Sequence, residues 1–174
     1  MAELLFITPA EMTETTIMGG NVDTDKYTYC ILDVQLKVIE ELLGTELYDK
    51  IVTDLGGAGL TGLYLTMFNE YVKPITKYEA CADYISVSPY TLGNSGLFKN
   101  APEGKEIVEE KEVDRLSLRY HSRAQMYVGR FLKWIKLNAT NIPEYKTNQD
   151  DVDASKTQRL NTGWYFGKNT NLND

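Results

Sequence analysis

The residues that constrain this chain most lie between positions 107 and 138, where Val113, Leu116, Tyr120, Ala124, Tyr127, Phe131 and Trp134 recur at spacings of three and four. That period predicts one long amphipathic helix, and a seam of such length has to be covered by other helices of the chain. Charge is graded along it as well. Glu106, Glu109, Glu110, Glu112 and Asp114 open the helix, whereas residues 115–136 carry Arg115, Arg119, Arg123, Arg130, Lys133 and Lys136 with no acid among them. Acids early and cations late complement the helix macrodipole.

The covering helices are readable upstream. Thr8-Pro9-Ala10-Glu11 combines a side-chain acceptor, a proline at the first helical position and a glutamate three residues on, so a short helix is expected over 9–18, stopped by Gly19-Gly20. Asp23 or Thr24 then caps a longer helix whose stripe is Tyr27, Ile31, Val34, Val38 and Leu42, ending at Gly44. A further short helix runs from Thr45 through Leu47, Ile51 and Leu55. The next region, from about residue 60, carries Leu63, Met67, Tyr71, Ile75, Tyr78 and Ala82, with Pro74 inside the pattern. A proline there predicts a kink, or two helices meeting at Lys73-Pro74. Over 86–100, β-formers mix with Gly, Asn and Ser, which reads as a β-hairpin or extended insertion turning near 93–96. After Tyr145 the composition shifts to Lys, Thr, Asn, Gln and Asp. The expected architecture is mainly α: a bundle of about four to five helices over 1–146, an insertion at 86–106, and an extended polar C-terminal arm over 147–174.

Composition narrows function by exclusion. With two cysteines (Cys30, Cys81) and one histidine (His121), soft ligands are too few for a zinc site or a disulfide framework, and neither metal nor cofactor is expected. A net charge of −7 argues against free nucleic acid as a ligand, because phosphate affinity comes from Lys and Arg displacing counterions. No window approaches the roughly 18 apolar residues of a membrane span, and no basic segment precedes a hydrophobic run at the start.

Three motifs invite a chemical reading. Gly57-Ala58-Gly59-Leu60-Thr61-Gly62 matches the glycine string of dinucleotide-binding folds, yet the residues before it space their apolar side chains for a helix rather than the required strand. It reads as a flexible turn between helices. Cys81 and His121 fall in amphipathic helices without an orienting acid, and a buried cysteine is usually a small hydrophobe. Asp23-Thr24-Asp25 and Asp150-Asp151-Val152-Asp153 lack the central glycine and closing glutamate of a calcium loop, so they read as a helix cap and a solvated charge run. No catalytic residue is expected.

Interaction is what remains. Tyr120, Tyr127 and Trp134 fall on the apolar seam rather than beside the cations, so they read as core, while Arg119, Arg123 and Arg130 read as facing an acidic partner. Residues 1–55 offer one, with eleven acids against three lysines, a net of −8. The two halves could pair within a subunit or between identical neighbours, the kind of head-to-tail complementarity that closes rings. Leu97 and Phe98 in the insertion, and Trp164-Tyr165-Phe166 in the arm, are further candidate interface residues. Three adjacent aromatics rarely stay in water, so the arm either folds back or docks on a neighbour.

The phrase Leu42-Leu43-Gly44-Thr45-Glu46-Leu47-Tyr48, then Gly93-Asn94-Ser95-Gly96-Leu97-Phe98, then Tyr127-Val128-Gly129-Arg130-Phe131-Leu132 running on to Ile142-Pro143-Glu144-Tyr145, resembles the head-to-tail connector (adaptor) proteins of tailed bacteriophages, in particular those of crAss-like phages of Bacteroides. The likeness covers about residues 4–146 and rests on pattern and order. It implies a non-enzymatic structural virion protein, a helical bundle whose copies, typically twelve, form a homo-oligomeric ring beneath the portal. Such a ring joins capsid to tail, lets DNA through its channel without specific binding, and grips the portal protein and neighbouring tail or connector proteins. The implied location is the virion, and the host cytoplasm during assembly, with no membrane partner. The alternatives are a small cytosolic helical adaptor and a nucleotide-binding enzyme using 57–62.

Overall fold

The computed structural model describes residues 4–19, 22–93, 96–99 and 109–145; the arm from 147 onward, Trp164-Tyr165-Phe166 included, lies outside the described residues. Helix α1 (Pro9–Glu14) opens with the expected capping box, Thr8 Oγ1 accepting from the Glu11 N–H at 3.2 Å and Glu11 Oε2 accepting from the Thr8 N–H at 2.8 Å. It stops well short of residue 18. Thr13, Thr15 and Thr16 turn their hydroxyls onto the carbonyls of Pro9, Glu11 and Met12, and such β-branched hydroxyl side chains favour bends over further helix.

A 3₁₀ turn (Thr24–Lys26) leads into a continuous run: α2 (Thr28–Val34), a π turn (Gln35–Ile39) and α3 (Glu40–Leu43). Asp23 precedes the 3₁₀ turn but makes no capping hydrogen bond, lying 3.7 Å from Lys26 instead, so its expected cap role is corrected. Gly44 takes φ 79°, a conformation side chains resist, which ends the run and lets α4 (Thr45–Gly56) start at once.

The second continuous run is α5 (Gly62–Met67), a π turn (Phe68–Val72) and α6 (Lys73–Val87). Of the two alternatives expected at Lys73-Pro74, a kink or two separate helices, the second does not occur: the helix runs on through a local π distortion. Pro74 has no N–H for the Glu70 carbonyl, and its ring needs room beside that oxygen. In the wider turn just before it, the Lys73 N–H reaches back five residues to Phe68, which gives that room without ending the helix. Helix α6 continues past residue 86, so the insertion begins later than expected, with β1 (Tyr90–Gly93) and β2 (Gly96–Lys99) pairing antiparallel, Tyr90 opposite Lys99 and Gly93 opposite Gly96. Helix α7 (Glu110–Asn138) closes through a 3₁₀ turn (Ala139–Asn141).

Helix α6 packs against both α2 and α7, most extensively on α7. The core includes Phe6, Tyr27, Ile31, Met67, Ile75 and Phe131, with the Phe6 ring 5.4 Å from Phe68 and 5.5 Å from Tyr48. Ile142 is buried, Tyr145 meets Phe131 edge-on, and the Tyr64 hydroxyl donates to Glu144 at 2.6 Å, so the end of the described chain is tied to the bundle.

The beginning is tied by a buried amide. Gln35 Oε1 accepts from the Phe6 N–H at 2.8 Å, and Nε2 donates to the Leu4 carbonyl at 3.0 Å. Gln35→Leu keeps the volume but leaves a buried N–H without an acceptor, which costs about 1–3 kcal/mol. The urea midpoint should fall accordingly with an unchanged slope. An unmoved midpoint would mean that packing alone holds the segment.

Candidate functional site

Residues on the polar side of α7 come from its 3.6-residue period, and their surroundings differ along the helix. Arg123 lies 5.4 Å from the Tyr120 ring centre and 5.8 Å from that of Tyr78 on α6, while Arg130 lies 5.3 Å from Tyr127 and 6.0 Å from Tyr71. Tyr78 stacks on Tyr127 at 5.7 Å, and Tyr71 faces Trp134 at 5.5 Å. Guanidinium and tyrosine rings thus alternate along the α6–α7 seam, each cation–π contact worth about 0.5–1 kcal/mol at an exposed site. The expectation that these aromatics stand apart from the cations is therefore corrected. On α7 the spacing of three and four puts each arginine one turn from a tyrosine, and α6 supplies the second ring.

Arg119, Lys133 and Lys136 are exposed and, among the described residues, have neither ring nor acid beside them, whereas Arg115 sits 3.8 Å from Glu112. Between these cations lie exposed apolar side chains that sequence reasoning missed, Leu118, Met126 and Leu137, the last 83% exposed. Gly129 shares this side, and a Cβ built on it meets no atom within 4 Å.

The front half shows the opposite charge. Its lysines are taken locally, Lys26 by Asp23, Lys37 by Asp33 at 2.8 Å and Lys50 by Asp54 at 3.1 Å. Glu11 pairs with Lys73 of α6 at 2.6 Å; burial raises its carboxyl pKa, but that lysine and the Thr8 hydrogen bonds outweigh burial and hold it below the ordinary value. Glu14, Asp25, Glu41 and Asp49 are exposed, with no cation paired to them among the described residues. Tyr29 on α2 and Leu36 in the π turn that follows are exposed at 49% and 58%. Tyr29 was legible, one helical turn before Asp33 on the polar side of α2, whereas Leu36 falls inside the π turn, where the α-helical period does not hold.

His121 meets Glu79 of α6, not Cys81, with Nδ1 2.7 Å from Oε1. Its nitrogen must carry a proton to donate to the carboxylate. Glu79 Oε2 is buried and meets no donor among the described residues. Burial pushes the Glu79 carboxyl above its ordinary pKa despite the imidazole, and pushes the Cys81 thiol up to about 11, a form unsuited to nucleophilic attack. The glycine string of 57–62 joins α4 to α5, the Gly59 N–H donating to Asp54 at 2.7 Å, so a helix stands where a dinucleotide fold needs a strand.

Of the expected interface residues, Arg119, Arg123 and Arg130 share α7, the latter two already seated on tyrosine rings. Leu97 and Phe98 lie in β2, opposite Leu92 and Thr91. No described helix is long and apolar enough to cross a membrane, and no group of three potential metal ligands gathers among the described residues.

A family model described as a family of unknown function, DUF6712, matches residues 39–155. The match begins at the last residue of the first π turn and takes in α3 to α7. No curated protein and no solved structure matches the chain.

Proposed function

The chain belongs to the DUF6712 family, whose model spans about two thirds of it, and for this member we propose a structural role as a ring-forming connector subunit at the head–tail junction of a tailed phage. One observation carries the reading: the subunit leaves charges of both signs exposed, Arg119, Lys133 and Lys136 on α7 and Glu14, Asp25, Glu41 and Asp49 in the front half. Among the described residues, Lys73–Glu11 ties a front-half acid to α6 and His121–Glu79 ties α7 to α6, while Arg119, Lys133 and Lys136 stay exposed. A subunit with complementary surfaces that it does not satisfy itself is suited to pairing with copies of itself, and a closed repeat of such contacts is a ring.

Two features support the reading. Among the described residues the sheet has two strands, which leaves both outer edges of the hairpin open to strand addition by a neighbour. The net negative charge of the whole chain suits a channel through which DNA must slide without being held.

Antibody raised against the purified chain and bound to intact particles of the phage that encodes it should place gold label at the junction between head and tail. Label spread over the capsid, or absent from particles, would overturn the proposal.

A further inference from the structure

Building on the ring reading, we propose that the outward face of α7 in one copy docks on the outward face of α2 and α3 in the next. The occupant of each face is thus a second copy of this chain.

Each face carries what the other lacks. On α7, exposed Leu118, Met126 and Leu137 are interleaved with Arg119 and Lys133; along the run from the 3₁₀ turn through α2 and the π turn to α3, exposed Tyr29 and Leu36 are accompanied by exposed Asp25 and half-buried Glu40, with Asp33 already paired to Lys37. Lys26 and Lys37 also border the second face, but each is held by an acid of its own helix region, Asp23 and Asp33. Arg123 and Arg130 are turned toward tyrosine rings, which leaves Arg119, Lys133 and Lys136 as exposed cations available to a neighbour's acids. Apolar side chains ringed by opposite charges give both burial and register, the charges excluding the wrong mate.

Gly129 is a second, independent sign. It lies in mid-helix, where glycine costs helix stability relative to alanine, and nothing in the subunit requires it: its φ is not positive and no atom crowds its Cβ position. A missing side chain there, one turn from Met126 and Lys133, lets another helix approach closely. Because α6 packs against both α2 and α7, the surfaces those two helices turn away from it lie on different sides of the bundle. One copy cannot close them on each other, and the contact is heterologous.

The test uses the full chain with mass photometry and sedimentation velocity, up to about 1 mM, the weak end of the affinity scale. The wild type should form closed oligomers. Met126→Glu and Leu36→Lys should each be folded and monomeric, and an equimolar mixture of the two should give dimers and nothing larger, since one intact pair of faces remains. Gly129→Gln should raise the thermal midpoint of the subunit while weakening association at least about tenfold, opposite signs that misfolding cannot produce. Oligomers indifferent to all three substitutions would overturn the face assignment and leave the ring reading standing. A mixture that stays monomeric, or dimers of Leu36→Lys alone, would overturn it too, the latter in favour of α7 pairing with α7. A wild type monomeric throughout the range would overturn both readings. Salt-sensitive binding of duplex DNA by such a monomer, lost in Arg119→Glu, would assign the α7 face to nucleic acid instead.

Discussion

A chain that begins at Ile39, where the family match starts, should fail to fold. Residues ahead of that point bury Phe6, Ile7, Met12, Tyr27, Ile31 and Val34. Each such side chain contributes about 1.5–3 kcal/mol by leaving water, so their joint loss reaches the roughly 5–15 kcal/mol that holds a whole domain together. The Phe6 ring lies against Phe68 and Tyr48, so its removal opens the matched region itself. Circular dichroism of a 39–174 fragment should retain helical signal without a cooperative thermal transition. Cooperative melting near the full-length midpoint would make the first layer an appendage.

His121→Ala should destabilise the fold by about 1–3 kcal/mol at neutral pH, below the 3–5 kcal/mol of a fully buried pair because the imidazole is partly exposed. The loss comes from leaving the Glu79 carboxylate buried without a donor. Its pH dependence is the sharper signature. A carboxyl whose folded pKa is raised binds its proton more tightly in the fold than in the unfolded chain, so its contribution is favourable below the unfolded value of 4.5 and is lost as pH rises through the folded one. Burial is the main cause of the rise and Asp83 adds to it, while His121 opposes it. Removing His121 takes away that opposition, so urea midpoints should show the variant's deficit shrinking as pH falls from 7.5 toward 5. Adding Glu79→Gln to His121→Ala should recover most of the deficit at pH 7.5. An equal deficit at both pH values, with no recovery in the double variant, would locate the effect in packing.

Local signals were legible where one residue type fits one backbone state. Thr8 with Glu11 marked the start of α1, and Gly44 marked a stop, because capping and positive φ are written within four residues. The seam of α7 was equally plain, Tyr120, Ala124 and Phe131 being buried as their spacing requires. Less legible were features that depend on what stands opposite. His121 and Glu79 are 42 residues apart, and nothing near either names the other. The second ring beneath Arg123 and Arg130 comes from α6, so the helix period alone showed half of each contact. Of the π turns, the one before Pro74 had a visible correlate in the proline, whereas the one at Gln35–Ile39 had none, since its residues are ordinary helix formers. Leu97 and Phe98 were placed in a hairpin by composition, and the register pairs them with Leu92 and Thr91.

The π turn at Phe68–Val72 also bears on the ancestry of the chain. Such a turn is an α-helix holding one residue more than its neighbours need, which is what a single inserted codon produces when the flanking contacts refuse to move. Deleting one residue there would return the stretch to ordinary α-helix and leave Met67 in the core and Tyr64 on Glu144. What it would take away is the wide turn that makes room for Pro74, so in any lineage that keeps Met67 inward, loss of the extra residue should go together with loss of the proline, whereas a change of length one turn away, in regular helix, would be felt as a rotation of about 100°.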